Sequence, residues 1–171
     1  IAEYTFNSTI DTLPTFNDGL NYTYTDVDNG NGTTTRTITS DNLPSSISFK
    51  DKTELISVSK LKTDEVTSMI NMFNNCYSLS SVDLSGWNVS NVTTMYFTFN
   101  NTANQAKNFS IGDLSGWDVA NVTDMERTFQ GAGNSSETWS VGDLSGWNTS
   151  KVTDMTEMFG YSGFNTKNWS I

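Results

Sequence analysis

Histidine is absent from this 171-residue sequence, and cysteine, proline and basic residues are scarce. Without histidine, the chain lacks the commonest general base and the commonest transition-metal ligand. The single cysteine, Cys76, cannot form a disulfide within the chain. Nine basic residues against nineteen acidic ones give a net charge of −10, which disfavours nucleic acid and anionic membranes as partners. No run of about 18 apolar residues is present, so no membrane insertion is expected.

A repeat of 30 residues fills most of the second half of the chain. Its three full copies read DLSGWNVSNVTTM (83–95), DLSGWDVANVTDM (113–125) and DLSGWNTSKVTDM (143–155). A degenerate copy, EVTSMINMF (65–73), precedes them after a shorter step. One such unit cannot bury its apolar side alone, so the repeat predicts stacked units with a shared core. We place the repeats near 54–78, 79–108, 109–138 and 139–168, with the last unit truncated at the C-terminus.

Each repeat is predicted to contain one strand and one short helix. The segment LSSVDLSGW (79–87) has the spacing L-x-x-L-x-L, which is typical of the strand of a leucine-rich repeat. Val92, Met95 and Phe99 then stand at i, i+3 and i+7, on one face of a helix, with Ser90 or Asn91 as the N-cap. The predicted fold class is an α/β solenoid of strand-plus-helix units over residues 51–171.

The motifs LSGWDVANVTDM, MTEMF and INMFNNC resemble those of the BspA-like leucine-rich-repeat surface proteins. Within them, the similarity is to a mycoplasma family of unknown function with lipoprotein-type repeats. It covers about residues 54–171. The resemblance implies an extracellular protein of the bacterial cell surface, in a family associated with adhesion to host proteins or to other cells. It carries no catalytic or binding motif over to this chain.

The segment 1–50 does not repeat, and it is predicted to form a β cap over the first repeat. Residues 20–40 alternate strongly, with Tyr22, Tyr24 and Asp26 on one face. The sequence DNGNG (28–32) is a turn signal, so a β-hairpin is expected here. Such a cap would cover the apolar end and the open strand edges of the first repeat.

The hairpin also contains the beginning of a calcium-loop pattern, in which Asp26 and Asp28 would be metal ligands. Gly30 and Asn31 stand in reversed order relative to that pattern, and no bidentate glutamate follows at the required distance. A polar hairpin turn explains the same residues without a metal. Both interpretations stay open, and no other cofactor is expected.

An aspartate precedes the core leucine in each full repeat, at Asp83, Asp113 and Asp143. On neighbouring parallel strands these carboxylates would repel one another. Hydrogen bonds from the serines two residues later (Ser85, Ser115, Ser145), a bound cation or a basic ligand could offset the repulsion. In the last case the aspartates would mark a ligand-binding sheet face.

Two aromatic columns are candidate contact surfaces. Trp87, Trp117 and Trp147 could form a platform for sugars, although their column position favours burial. A second column lies in the segment between copies, at Phe109, Trp139 and Trp169. Packing explains this column too, but of the two it is the better candidate for a glycan or protein contact.

These patterns predict a monomeric binding module and not an enzyme, and the resemblance implies that it is extracellular. A catalytic triad with histidine is impossible, and carboxylates in repeat columns rarely enclose a unique deep site. The predicted function is adhesin-type recognition of a host or cell-surface protein or glycan through the sheet face. The alternative is a structural spacer that presents another domain of a larger surface protein. The sequence does not name the ligand.

Overall fold

A computed structural model describes residues 1–8, 13–16, 20–84, 86–107, 109 and 111–170, with the backbone alone at 169–170. The strands within these residues are β1 (Ala2–Asn7), β2 (Thr15–Phe16), β3 (Thr23–Asp28), β4 (Thr33–Thr39), β5 (Ile47–Ser48), β6 (Leu55–Leu61), β7 (Ser81–Val82), β8 (Thr138–Ser140) and β9 (Asn168–Ser170).

The N-terminal part forms a five-stranded sheet in the order β3-β4-β1-β6-β7. Its first three pairings are antiparallel, and only β7 runs parallel to its neighbour β6. The predicted hairpin is confirmed, because β3 pairs with β4 across the turn at 29–32. Alternate residues of β1, namely Ala2, Tyr4 and Phe6, point into the core. Since β6 lies beyond residue 50, the sheet joins the N-terminal segment to the first repeat.

The prediction of an α/β solenoid of strand-plus-helix units is wrong. The part of the chain that the structure describes contains no helix, and residues 91–99 form turns where a helix was expected. Its strands form one five-stranded and two two-stranded sheets, and the parallel pairs β6–β7 and β8–β9 do not join into one sheet along the repeats. Of the strand predicted over 79–87, only β7 is present.

Turns of the chain, laid side by side, take the place of the predicted helices. We call turn rows four equivalent segments, one in each repeat, at 69–75, 95–101, 125–131 and 155–161. Parallel β-bridges connect the residues that directly precede the rows, in the order Ser68, Thr94, Asp124 and Asp154. Successive repeats are therefore in register with one another.

Backbone donors within a turn row alternate between two kinds of acceptor. In the second row, the N–H of Thr98 closes a turn onto the carbonyl of Met95, at 3.1 Å. The N–H groups of Phe97 and Phe99 donate instead to carbonyls of the third row, at 3.1 and 2.8 Å. The same alternation holds in the first and third rows. Buried backbone groups are thereby satisfied without a helix or a regular sheet.

Residues with a left-handed backbone conformation explain why a helix does not form. In the second row, Phe97 has a φ of 57° and Asn101 a φ of 51°. Arg127 and Glu157, which occupy the position of Phe97 in the third and fourth rows, have φ values of 52° and 51°. An α-helix requires right-handed dihedrals at every position. The spacing i, i+3, i+7 is compatible with both structures, because the turns also close between residues i and i+3. Val92, Met95 and Phe99 are accordingly all buried, as expected from their spacing.

Stacked phenyl rings run through the core from the N-terminal sheet to the last repeat. Adjacent ring centroids lie 5.2–5.6 Å apart, with planes within 19° of parallel. The ladder consists of Phe49, Phe73, Phe99, Phe129 and Phe159. Tyr4 of β1 meets its first ring edge-on at 5.1 Å. The cap and the repeats therefore share one core.

Buried hydroxyl and thiol groups form hydrogen bonds between neighbouring segments of the stack. Thr98 Oγ1 donates to the carbonyls of Met69 and Met95, which belong to two successive rows, at 3.0 and 2.8 Å. Cys76 Sγ donates to the carbonyl of Phe49 at 3.0 Å, and burial raises the pKa of this thiol. Cys76 is thus a structural residue.

The phenyl ladder predicts a graded effect of truncation. Phe99 is fully buried, whereas Phe159 at the end of the ladder is only partly buried. We expect Phe99→Ala to lower the free energy of unfolding by about 3–5 kcal/mol and Phe159→Ala by clearly less. Urea denaturation of both variants measures the difference. Equal losses would contradict a ladder that ends at Phe159.

Candidate functional site

The aspartate column is exposed but is occupied by local hydrogen bonds. Asp113 accepts from the backbone N–H of Ser115 at 2.9 Å, and Asp143 accepts from that of Ser145 at 2.8 Å. These bonds, supplemented by the serine hydroxyls, hold the pKa of both carboxyls below the usual range. The local interpretation of these two aspartates is confirmed.

The predicted sheet face beneath these aspartates is absent. Residues 111–114 and 141–144 are not strands. The two segments nevertheless lie close together, because a Cβ added at Gly142 would be 2.3 Å from Asp113 Oδ1. Asp83 is exposed in an open groove that also contains Lys60 and Lys62, and its predicted partner Ser85 lies outside the described residues.

The indole column packs as a stack. Trp87 and Trp117 are buried, with their ring centroids 5.8 Å apart. Trp147 stacks on Trp117 at 6.5 Å, is partly buried, and donates its Nε1–H to the carbonyl of Leu114 at 3.0 Å. The expectation of burial is confirmed for the first two members, so the column offers no open platform for a sugar.

The second aromatic column is also internal where it is described. Phe109 and Trp139 are each 1% exposed. Trp139 meets Phe129 and Phe159 of the ladder edge-on, at 6.5 and 6.0 Å. The backbone of Trp169 pairs with that of Trp139 between β8 and β9, whereas the Trp169 side chain lies outside the described residues. Phe109 and Trp139 therefore present no surface to a ligand, and the packing interpretation holds for both.

The proposed calcium ligands have protein partners. Both carboxylate oxygens of Asp26 accept from the guanidinium of Arg36, each at 2.7 Å. Asp28 Oδ1 accepts from the N–H of Gly30 at 2.9 Å, which makes a polar hairpin turn. The described residues contain no group of three or more metal-ligating side chains. A calcium ion at Asp26 would have to displace Arg36.

Arg36 is a buried cation within the N-terminal sheet. Its side chain is 4% exposed, and its guanidinium lies 4.1 Å from the ring centroid of Tyr24 and 5.1 Å from that of Phe6. A buried charge must be paired, and the bidentate contact with Asp26 pairs this one. The hydrogen bond with Arg36 lowers the pKa of Asp26. This carboxylate is therefore best explained as structural.

Exposed aromatic side chains appear at the last repeat, where the sequence analysis placed no site. Tyr161 is 67% exposed and Phe164 is 70% exposed, with their ring centroids 6.1 Å apart. The earlier full copies have Asn101 and Gly131 at the position of Tyr161, and asparagine at that of Phe164. This break in two polar columns is the signal that could have revealed the pair.

The same end of the stack leaves core positions uncovered. Met155 is 44% exposed, whereas the equivalent Met95 and Met125 are completely buried. Phe159 stacks on Phe129 at 5.2 Å and is partly buried. Met155 and Phe159 are thus less buried than the equivalent residues of the earlier repeats.

These features define a tandem-repeat protein in which stacked turn rows are closed by a β-sheet at the N-terminal end. The sequence matches the family described as "Mycoplasma protein of unknown function, DUF285" over residues 42–170, and the chain belongs to this family. No curated protein and no solved structure matches it. The described residues contain no helix with the length and hydrophobicity that spanning a membrane requires.

The pair formed by Asp26 and Arg36 predicts a pH-dependent stability. Because the pKa of Asp26 is lowered in the folded state, the pair stabilises the fold above the unfolded pKa of about 3.9. This stabilisation disappears as the pH falls through the folded pKa. We expect the unfolding free energy of the wild type to fall more steeply below about pH 4 than that of Asp26→Asn.

Chemical denaturation at several pH values measures this difference. Asp28→Asn is the matched control, since Asp28 lies on the same hairpin and accepts from a backbone N–H instead of a guanidinium. An identical pH dependence in the wild type and Asp26→Asn would show that the pair does not contribute.

The calcium prediction is tested by the melting temperature. A bound ion must stabilise the folded state, but Arg36 already occupies both oxygens of Asp26. We therefore expect the same melting temperature in excess calcium and in excess chelator. A rise in calcium that disappears in Asp28→Asn would establish a metal site on the hairpin.

Proposed function

We propose that this chain is a non-catalytic binding module of a bacterial surface protein, and that the aromatic pair Tyr161–Phe164 makes the contact. The single observation that carries the proposal is the aromatic pair Tyr161–Phe164, at two positions where the earlier full copies have asparagine or glycine. Aromatic side chains dominate the binding energy of protein interfaces, and they also stack against sugars. Host or cell-surface proteins and glycans are the ligand classes that suit such a surface.

The backbone at Tyr161 supports a functional role for this residue. Its φ is 58°, in the left-handed region that favours glycine and asparagine. Asn75, Asn101 and Gly131 occupy the same position in the earlier rows, with φ values of 61°, 51° and 65°. A tyrosine there costs conformational energy and gains little burial. Strain of this kind is typical of residues that are retained for binding.

A spacer is the second candidate function. The phenyl ladder and the hydrogen bonds between rows join cap and repeats into one body, which suits a rigid element that holds another domain at a distance. Polar side chains also lie on the surface just before the rows, as in the exposed Thr93 and Thr123, whose hydroxyls each donate to a carbonyl of the preceding repeat at 3.1 Å. A spacer does not explain why Tyr161 and Phe164 replace the asparagine or glycine of the earlier full copies.

One double variant separates the two candidates. Tyr161→Asn with Phe164→Asn restores the side chains of the second repeat at both positions. We expect this variant to unfold at the same or a higher temperature, because the strain at Tyr161 is relieved. We also expect it to lose at least tenfold in affinity for the wild-type ligand, since two exposed aromatic contacts are removed.

The measurement is a screen of the wild type against extracellular-matrix proteins and glycans, followed by affinity measurements with each variant. Asp113→Ala with Asp143→Ala is the control for the aspartate column. If this control loses binding and Tyr161→Asn with Phe164→Asn does not, the ligand contacts the aspartates instead of the aromatic pair. A wild type that binds nothing in the screen would favour the spacer.

A further inference from the structure

One edge of the N-terminal sheet is a long strand that pairs on one side only among the described residues. The sheet ends with β7, which has two residues, and at its opposite edge with β3, which has six. Proteins usually protect such edges with short strands, bulges, prolines or lysines. β3 has none of these, because its pairing with β4 is regular and its sequence TYTDVD contains neither proline nor lysine. This edge is therefore suited to pairing with a further strand.

The register of the hairpin shows which backbone groups of β3 are available. The N–H of Asn29 donates to the carbonyl of Thr33 at 3.0 Å, and hydrogen-bonded pairs recur at every second residue of an antiparallel ladder. The residues of β3 that bond to β4 are therefore Thr23, Thr25 and Val27. Those whose N–H and C=O groups point to the open edge are Tyr24, Asp26 and Asp28. No described residue outside β4 pairs with β3.

The side chains of β3 add contact area to this edge. All six residues of the strand are exposed, with Val27 at 62% and Tyr24 at 45%. The ring of Tyr24 lies under the guanidinium of Arg36, whose charge is balanced by Asp26. An added strand would therefore meet an aromatic ring on one face of the sheet and an aliphatic side chain on the other.

An open groove continues from the beginning of β3. Its volume is about 480 Å³, and it is lined by Asn21, Tyr22, Thr23, Thr39, Ser40 and Asp41. Asp41 is exposed at this end of the strand, and Asp28 is exposed at the other end. Among the described ion pairs, none involves either carboxylate. Since the whole chain has a net charge of −10, charge complementarity favours a basic partner at this edge.

We propose that β3 binds an extended segment of a basic partner protein, which adds a sixth strand to the sheet. The segment has β-branched residues in its middle and a basic residue near each end, one beside Asp28 and one in the groove beside Asp41. Hydrogen bonds to the backbone of Tyr24 and Asp26 supply affinity, and the two exposed carboxylates select the basic partner. A second copy of the chain fits less well, because each copy has a net charge of −10.

This surface belongs to the N-terminal sheet, whereas Tyr161 and Phe164 lie in the last repeat. The inference therefore goes beyond the proposed function and does not depend on it.

The probe is the synthetic peptide acetyl-Lys-Thr-Val-Thr-Val-Thr-Lys-amide, titrated to millimolar concentration into the isotope-labelled full chain. When this peptide pairs antiparallel with residues 22–28, its valines lie opposite Tyr24 and Asp26, and its lysines lie opposite Tyr22 and Asp28. We expect NMR shift changes and slower hydrogen exchange at the amides of Tyr24 and Asp26. Unchanged exchange at both amides would overturn the proposal.

Two N-methylated peptides form a matched pair that leaves the protein unchanged. Methylation of both valine nitrogens removes the peptide donors that face β3, and we expect a loss of affinity of about tenfold because two hydrogen bonds are lost. Methylation of the first and last threonine nitrogens removes N–H groups that point away from β3, so the affinity should stay the same. Equal losses in the two peptides would overturn pairing through the backbone.

The double variant Asp28→Asn with Asp41→Asn tests the preference for a basic partner. We expect a loss of affinity of about threefold, because exposed ion pairs are weak, and a smaller effect of added salt than in the wild type. Val27→Thr is the control, since it changes an exposed side chain of the same strand and keeps its charge and backbone bonds. Binding that responds neither to the double variant nor to salt would overturn the assignment to a basic partner.

Sedimentation equilibrium of the chain alone tests a second copy as the occupant of the edge. We expect a monomer at low and at high salt, because two acidic copies repel each other. Tyr24→Pro removes a backbone N–H that points to the open edge without removing a bond to β4. A wild-type dimer that strengthens with salt and is lost in Tyr24→Pro would show that the edge pairs with itself, and would overturn the proposal.

Discussion

Alternation of backbone donors is the constraint on which the rest of this structure depends. Within the first three turn rows, N–H groups that close turns alternate with N–H groups that bond to the next repeat. A net contribution of about 1 kcal/mol for each such bond is small, but a buried donor without a partner would cost more. The rows must therefore lie in register, and this register brings like side chains together. The phenyl ladder, the indole stack and the threonine bonds all follow from it.

Buried polar residues also hold successive repeats in register. Thr98 and Thr128 are fully buried, yet each hydroxyl donates to two carbonyls that belong to successive rows. Such hydroxyls compete with helical hydrogen bonding and are suited to turns. A low content of aliphatic residues is thus compatible with a continuous core, because part of the cohesion between repeats comes from satisfied polar groups.

The sequence predicted which residues are buried more accurately than it predicted their secondary structure. The spacing of Val92, Met95 and Phe99 places them on one side of a helix and equally on one side of successive turns, so the core columns were found and the helix was wrong. Nothing in a phenylalanine indicates a left-handed backbone, and the φ of 57° at Phe97 is imposed by the neighbouring rows. The N-terminal hairpin was predictable, because alternation and turn residues act locally. Tyr161 and Phe164 were visible as breaks in polar columns, but their exposure depends on which row ends the stack.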